Sequence, residues 1–125
     1  MPSKTRVAIP VESGDGMDAV RSAHFGHAAG FVLVDTEDGA PVSAHRIDNP
    51  PHTHGGCTSI VSVLVTHGVD TVSVIGMGRG PLNGLMGAGV TVHHDPESTT
   101  VAEAISAINE GRTSAFVPDH ACQGH

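Results

Sequence analysis

The sequence is nearly without aromatic residues: Phe25, Phe31 and Phe116 are the whole set, and Tyr and Trp are absent. A core must then be assembled from Val, Ile, Leu, Ala and Met. Stacking of bases on aromatic rings is nearly excluded, which argues against a single-strand nucleic-acid binder. Cationic side chains are sparse too. Lys4, Arg6, Arg21, Arg46, Arg79 and Arg112 are scattered along a chain of formal net charge −7. Phosphate-tracking proteins need clustered positive charge, so nucleic acid is a poor partner. No apolar run approaches the roughly 20 residues of a membrane span, and MPSKTRVAIP lacks the apolar stretch of a signal peptide. The expectation is a cytoplasmic protein without a membrane partner. In that compartment Cys57 and Cys122 stay reduced, and they read as ligands or reactive thiols rather than a structural bridge.

What is present is glycine and histidine. The 125 residues suit one ordinary domain, in which folding buries roughly two-thirds of the chain's surface. Sixteen glycines punctuate the sequence, and the ten histidines are dispersed rather than contiguous, unlike an affinity tag. His24, His27, His52, His54, His120 and His125 sit in Gly/Pro-rich or Cys-containing segments.

Thr5–Pro10 (TRVAIP) predicts a short buried strand, followed by a polar turn, VESGDGMDAV, and a glycine-punctuated loop, SAHFGHAAG. Phe31–Asp35 and Pro41–Asp48, joined by an Asp-Gly turn, read as an antiparallel hairpin. Asn49–Gly56 (NPPHTHGG) excludes regular structure through its prolines and glycines. Thr58–His67 predicts an apolar helix with Ile60, Val61, Leu64 and Val65 at helical spacing. Next come a strand at Thr71–Ile75, a glycine loop at Gly76–Pro81, a short helix at Leu82–Met86 and a strand at Val90–His93. Thr100–Glu110 is a helix opened by a Thr100–Glu103 capping box and followed by Gly111. Helix crossovers imply parallel strands and the hairpin adds antiparallel ones, so the expected fold is a mixed, twisted sheet covered by helices. Thr5–Pro10 and Thr71–Ile75 should be adjacent central parallel strands, with the hairpin on one side and Val90–His93 on the other. Residues 1–118 are expected to form one domain, and 119–125 a flexible tail rich in His and Cys.

Four segments carry chemistry. In His24-Phe25-Gly26-His27, Phe25 can anchor the loop and leave His24 and His27 at its rim, although a loop histidine is often merely solvated. In His52-x-His54-x-x-Cys57 the cysteine meets a helix N-terminus, whose free N–H groups and dipole favour a thiolate; the plainer reading is an inert buried thiol. His120-x-Cys122-x-x-His125 has metal-type spacing but lacks the second pair of a zinc finger. Gly76-Met77-Gly78-Arg79-Gly80-Pro81 follows a strand and opens a helix, the setting of anion-binding glycine loops. It is neither G-x-G-x-x-G nor a P-loop, so it reads as anion-capable and not as a nucleotide fingerprint.

Taken in order, these features resemble one family. R-V-A-I-P, then S-x-H-F-G with the following F-V-L-V-D strand, a Gly-rich loop before a helix, and V-I-G-M-G-x-G-P-L are similar to the dinitrogenase iron–molybdenum cofactor biosynthesis family of the NifX/NafY type. That family also forms the C-terminal part of NifB proteins and includes the small orange protein of sulfate-reducing bacteria. The similarity spans about residues 5–118. It implies a ribonuclease H-like fold with a five-stranded mixed sheet flanked by helices. It implies a cofactor-binding domain that binds, carries or helps assemble a metal–sulfur cluster, such as an iron–molybdenum cofactor precursor or a molybdenum–copper sulfide cluster. It further implies that His24 is the cluster-associated histidine. Two features depart from the pattern: Cys57 stands where many members have small residues, and the tail adds His120, Cys122 and His125. Nuclease chemistry does not follow from such a fold, because two-metal nucleases need clustered carboxylates, and between Pro50 and His94 the only one is Asp70.

Three functions remain open on these residues. The first is a non-catalytic carrier in which His24, the backbone of Gly76, Gly78 and Gly80, Arg79 and the helix after Cys57 meet an anionic cluster. The second is a mononuclear Zn, Fe or Cu protein using His24, His54, Cys57 and His120 or Cys122. The third, an enzyme with Cys57 as nucleophile, lacks a visible orienting group and ranks last. Convergence of His24, His54 and Cys57 is expected, provided that the helix begun by Cys57 faces the same end of the sheet as His24. A cluster-assembly or acceptor protein is the expected macromolecular partner.

Overall fold

The computed structural model describes residues 4–23, 25, 28–48, 57–77 and 79–115. Strand β1 (Lys4–Ser13) pairs with three others, and its Val7, Ala8, Ile9 and Val11 are buried accordingly. It runs antiparallel to β3 (Gly30–Glu37) from Lys4↔Glu37 to Val11↔Gly30, and its upper end pairs with the two-residue β2 (Val20–Arg21). On its other side β1 is parallel to β5 (Thr71–Val74), with Val7 opposite Thr71 and Ala8 opposite Val72. The hairpin partner β4 (Ala40–Asp48) closes one side of the sheet. On the other side β6 (Thr91–His94) runs parallel to β5, and the two-residue β7 (Ser114–Ala115) pairs antiparallel with β6. The order is β4-β3-β1-β5-β6-β7, an open mixed sheet.

Strand side chains alternate between faces, and the chain uses both. Ala8, Phe31, Leu33, Val72, Val74 and Val92 meet Leu64 of α1 (Cys57–Thr66) and Leu82 and Leu85 of α2 (Arg79–Gly87) on one face. Val7, Ile9, Val11, Val32 and Val34 meet Val101, Ala104 and Ile105 of α3 (Val101–Asn109) on the other. The result is three layers with a mainly aliphatic core in two halves, in which Phe25 and Phe31 are the aromatic members on one face. Helices α1 and α2 pack closely because Gly84 has no side chain; a Cβ there would stand 3.3 Å from Val61 Cγ1.

The expected order of elements holds, and the differences are local. The polar turn was expected from Val11, but β1 continues to Ser13. Val11 is fully buried and has neighbours on both sides, Gly30 and Arg21, so the strand does not stop at Pro10. Pro10 lacks a donor, but its carbonyl accepts from Ser22 N at 2.9 Å. Helix α2 begins at Arg79, not Leu82, so Arg79, Gly80 and Pro81 belong to its first turn rather than to the glycine loop. Proline suits a first turn, where its missing N–H has no intrahelical partner to lose. The last parallel strand is displaced by one residue from the expected Val90–His93, and neither β2, whose Val20 falls in the expected polar turn, nor β7 was anticipated. Residues 49–56 and 116–125, including the anticipated flexible tail, lie outside the described residues.

The α3 capping box takes a shifted form. Thr100 Oγ1 accepts from Glu103 N at 3.3 Å, but the Glu103 carboxylate reaches back to Thr99, accepting its N–H at 3.0 Å. Replacing Thr100 with Ala leaves the Glu103 amide without this acceptor. Thr100→Ala is expected to lower stability by about 1 kcal/mol in urea unfolding with an unchanged slope; an unchanged midpoint would show that water replaces the cap without cost.

Candidate functional site

Parallel strands β1, β5 and β6 all end at the same end of the sheet, here called its carboxyl end, and β4 ends there too at Asp48. Loops leaving this end are where α/β sheets bind ligands. The topology also places Cys57. Helix α1 finishes at the opposite, amino end, where Arg6 Nη1 donates to the His67 carbonyl at 2.6 Å. Ten helical residues return about 15 Å along the helix axis, so Cys57 opens α1 at the carboxyl end. Helix α2 begins at the same end at Arg79 and descends to the start of β6, where Val90 N donates to Leu85 O. Two helix N-termini, with their unsatisfied N–H groups and positive dipole ends, therefore share one end of the sheet.

Two loops meet there. Ser22 N donates to Pro10 O at 2.9 Å, which holds the segment after β2 against the end of β1. A Cβ built on Gly76 would stand 3.3 Å from the Ala23 carbonyl oxygen, so the turn after β5 touches the segment leading into residue 24. Phe25 is buried and packs edge-on against Phe31, with ring centroids 5.3 Å apart. Met77 is buried in the same cluster. The loop carrying His24 is thus flanked by Ala23 on the Gly76 turn and by Phe25 in the core.

Beneath these loops lies a polar network that sequence reasoning missed. The Arg21 side chain is 1% exposed. Its Nη1 donates to the carbonyls of Asp95 (2.7 Å) and Ser98 (2.9 Å), and its Nη2 to Ser73 Oγ (3.2 Å). The Asp95 carboxylate, 3.8 Å from Nη1, accepts from Ser98 Oγ at 2.7 Å and from the amides of Ser98 and Glu97. Burial lowers the Arg21 pKa, with Asp95 and Glu103 opposing it, but a guanidinium keeps its charge. Burial pushes the Asp95 carboxyl up, yet the Ser98 hydroxyl and amide, Arg21 and the Glu97 amide outweigh it and hold the group below its ordinary value. The sequence signal was slight: Arg21 stands between Val20 and Ser22, and Asp95-x-x-Ser98 has the spacing of a local side chain-to-backbone turn.

The amino end has a different character. A cleft of about 400 Å³ is lined there by Lys4, Arg6, Asp35, Glu37 and Asp70 among others. Arg6 and Asp35 are paired in it, with Arg6 Nε 2.6 Å from Asp35 Oδ1, and the Arg6 amide donates to Asp70. Asp70, the single carboxylate between Pro50 and His94, therefore sits away from the carboxyl end.

Of the anticipated site residues, Gly76 is at the carboxyl end, and Cys57, Arg79 and Gly80 are placed there by their helical backbone. His24, His27, His52, His54, Gly78, His120, Cys122 and His125 lie outside the described residues. Among the described residues no group of three or more His, Cys, Asp or Glu side chains is placed to hold a metal ion. Strand β7 runs antiparallel to β6, so at Ala115 the chain is heading away from the carboxyl end.

Residues 5–111 match the family model described as dinitrogenase iron-molybdenum cofactor. The chain belongs to this dinitrogenase iron-molybdenum cofactor family. Among similar solved structures, the apo form of the orange protein from Desulfovibrio gigas is 28% identical, covering 94% of this chain and 97% of that one, with a TM-score of 0.80. A NifB-like protein from Thermotoga is 33% identical over 96% of this chain and 99% of its own, with a TM-score of 0.78. An uncharacterized protein of Methanocaldococcus jannaschii is 25% identical over 113 residues, 89% of this chain and 91% of that one. The family match covers every segment that forms the carboxyl end in this member.

Burial also lowers the pKa of His93, whose Nδ1 lies 2.7 Å from Thr113 Oγ1 beside the Arg21 network. Unfolded, this imidazole takes up a proton near pH 6.5; folded, it does so only at lower pH. Between the two the unfolded state binds more protons, so stability present above about pH 6.5 is lost as pH falls through the folded value. His93→Gln is expected to flatten this part of the stability profile, whose His93 component has a slope of at most about 1.4 kcal/mol per pH unit. An identical profile for the variant would place the titration elsewhere.

Proposed function

We propose that this family member is a non-catalytic, cytoplasmic carrier that binds a metal–sulfur cluster of the iron–molybdenum type at the carboxyl end of its sheet and passes it to an assembly or acceptor protein. Its five longer strands, ordered β4-β3-β1-β5-β6 with β3 alone running against the rest, are read as a ribonuclease H-like fold. The observation that carries the functional reading is the meeting of the Ala23 segment with the Gly76 turn between two helix N-termini. Such a place offers several backbone N–H groups to one anion, and no segment from Cys57 to His94 brings a carboxylate to it. Family membership supplies the class of cargo.

In this reading His24 supplies an imidazole, Gly76, Gly78 and Gly80 leave room for cargo against the backbone, and Arg79 supplies positive charge. Cys57, as a thiolate favoured by the start of α1, and His54 add ligands to an exposed metal of the cluster. His120 and Cys122 would add further ligands on condition that the tail turns back toward the carboxyl end after β7. The net charge of −7 opposes an anionic cargo at long range, but screening limits that opposition beyond roughly 8–10 Å.

Anaerobic titration with tetrathiomolybdate, with and without Cu(I), tests the reading. The wild type is expected to bind and retain the chromophore through desalting. His24→Ala should weaken binding about tenfold or more, the loss of one charge-assisted contact. Cys57→Ala should reduce retention more than His27→Ala. Equal retention by wild type, His24→Ala and Cys57→Ala would overturn the assignment of these residues. Purified protein holding one zinc and no sulfide would favour a mononuclear His24, His54, Cys57 site instead.

A further inference from the structure

The buried Arg21 network has no part in the contacts just proposed, yet it joins the segments that make them. We infer that Arg21 is a positioning residue for the cargo site: it fixes the Val20–Ala23 segment against the ends of β5 and β6 so that Ala23 meets Gly76 at the spacing the cargo requires. This inference rests on the carrier reading.

A charged side chain that is 1% exposed is costly to bury, and an apolar residue of similar volume often serves a core as well or better. The guanidinium is ion-paired with the Asp95 carboxylate only at 3.8 Å, beyond hydrogen-bond distance. Asp95 spends its oxygens on Ser98 and Glu97, and Arg21 bonds to the Asp95 and Ser98 carbonyls and to Ser73 Oγ. Its Nε finds no partner among the described residues. A buried donor left without a protein partner adds to that cost.

What the arrangement does is tether. Arg21 N donates to Thr99 O at 3.0 Å, and its side chain grips β5 and the loop of Asp95–Ser98. Ser73 stands three residues before Gly76, and Arg21 two residues before Ala23. The Arg21–Ser73 hydrogen bond therefore closes a short ring of chain whose other closure is the contact of Ala23 O with Gly76. Within that ring Ala23 cannot retreat from Gly76 without breaking bonds to a buried cation. An alanine at position 76 would have to displace the Ala23 carbonyl by a few tenths of an ångström, and the Arg21 tether resists that displacement.

The experiment is a double-mutant cycle on the full chain, read as tetrathiomolybdate affinity, with circular dichroism and thermal unfolding as controls on folding. Arg21→Met and Gly76→Ala are each expected to weaken binding about tenfold, and the double variant to bind no more weakly than the weaker single, because a released Ala23 yields to the new Cβ. Arg21→Lys, which can reach one acceptor but not all three, should recover part of the loss. If Arg21→Met does not fold, Arg21→Lys takes its place in the cycle with the same expected non-additivity. Folded Arg21→Met that binds like wild type, or a double variant whose loss is the product of the single losses, would overturn this inference alone. A wild type that does not bind would overturn the carrier reading and this inference with it.

Discussion

The parallel pairing of β1 with β5 is the constraint from which the candidate site follows. Val7 opposite Thr71 and Ala8 opposite Val72 set the two strands in one direction. A chain cannot reach a parallel neighbour through a tight turn; it must cross back, and here it crosses back as α1. A helix that returns the chain to the start of β5 must begin where the strands end. The same argument applies to α2 between β5 and β6. Two helix N-termini and two loops are thereby gathered at one end of the sheet without any contact having been selected for that purpose. The aliphatic core sustains this geometry from both faces, with Leu64, Leu82 and Leu85 on one and Val101, Ala104 and Ile105 on the other.

The two ends of the sheet then diverge in electrostatics. At the amino end Arg6 is matched by Asp35, the Arg6 amide by Asp70, and the hydrogen bond from Arg6 holds the Asp35 carboxyl below its usual range. At the carboxyl end the positive character comes from backbone N–H groups, which carry no counter-charge of their own. Acidic groups at this end are tied to partners: Asp95 is buried and hydrogen-bonded within its own loop, Glu12 lies 3.5 Å from Ser22 Oγ, and the exposed Asp48 at the end of β4 is paired with Arg46 Nε at 3.1 Å. An acidic protein can in this way present a locally anion-tolerant surface.

Much of the fold was legible because local signals agreed with it. The apolar run at Thr5–Pro10, the Asp-Gly turn, the Thr100–Glu103 spacing and Gly111 each fixed an element or its end. Legibility failed where a distant partner decided the outcome. Val11 remains in β1 because Gly30 and Arg21 flank it, and no local pattern reveals that. Pro81 looked like part of a loop but is one of the residues a helix accepts in its first turn. At the site, the glycine loops and the histidine-bearing loop announced themselves by composition. Arg21 did not, because its acceptors lie 52 to 77 positions away and two of them are backbone carbonyls, which have no sequence signature. Cys57 was recognisable as the start of a helix, but the end of the sheet it faces depended on the strand order.

The central claim is that cargo binds at the carboxyl end and not in the cleft at the amino end. Amide chemical-shift mapping on the full chain during anaerobic addition of tetrathiomolybdate tests it most directly. The account predicts perturbation concentrated at Ser22, Ala23 and Phe25, at the first turn of α1 and from Gly76 into the first turn of α2, with Lys4–Arg6, Thr36 and Asp70 unmoved. Perturbation centred on Arg6, Asp35 and Asp70, with the Gly76 turn silent, would contradict it.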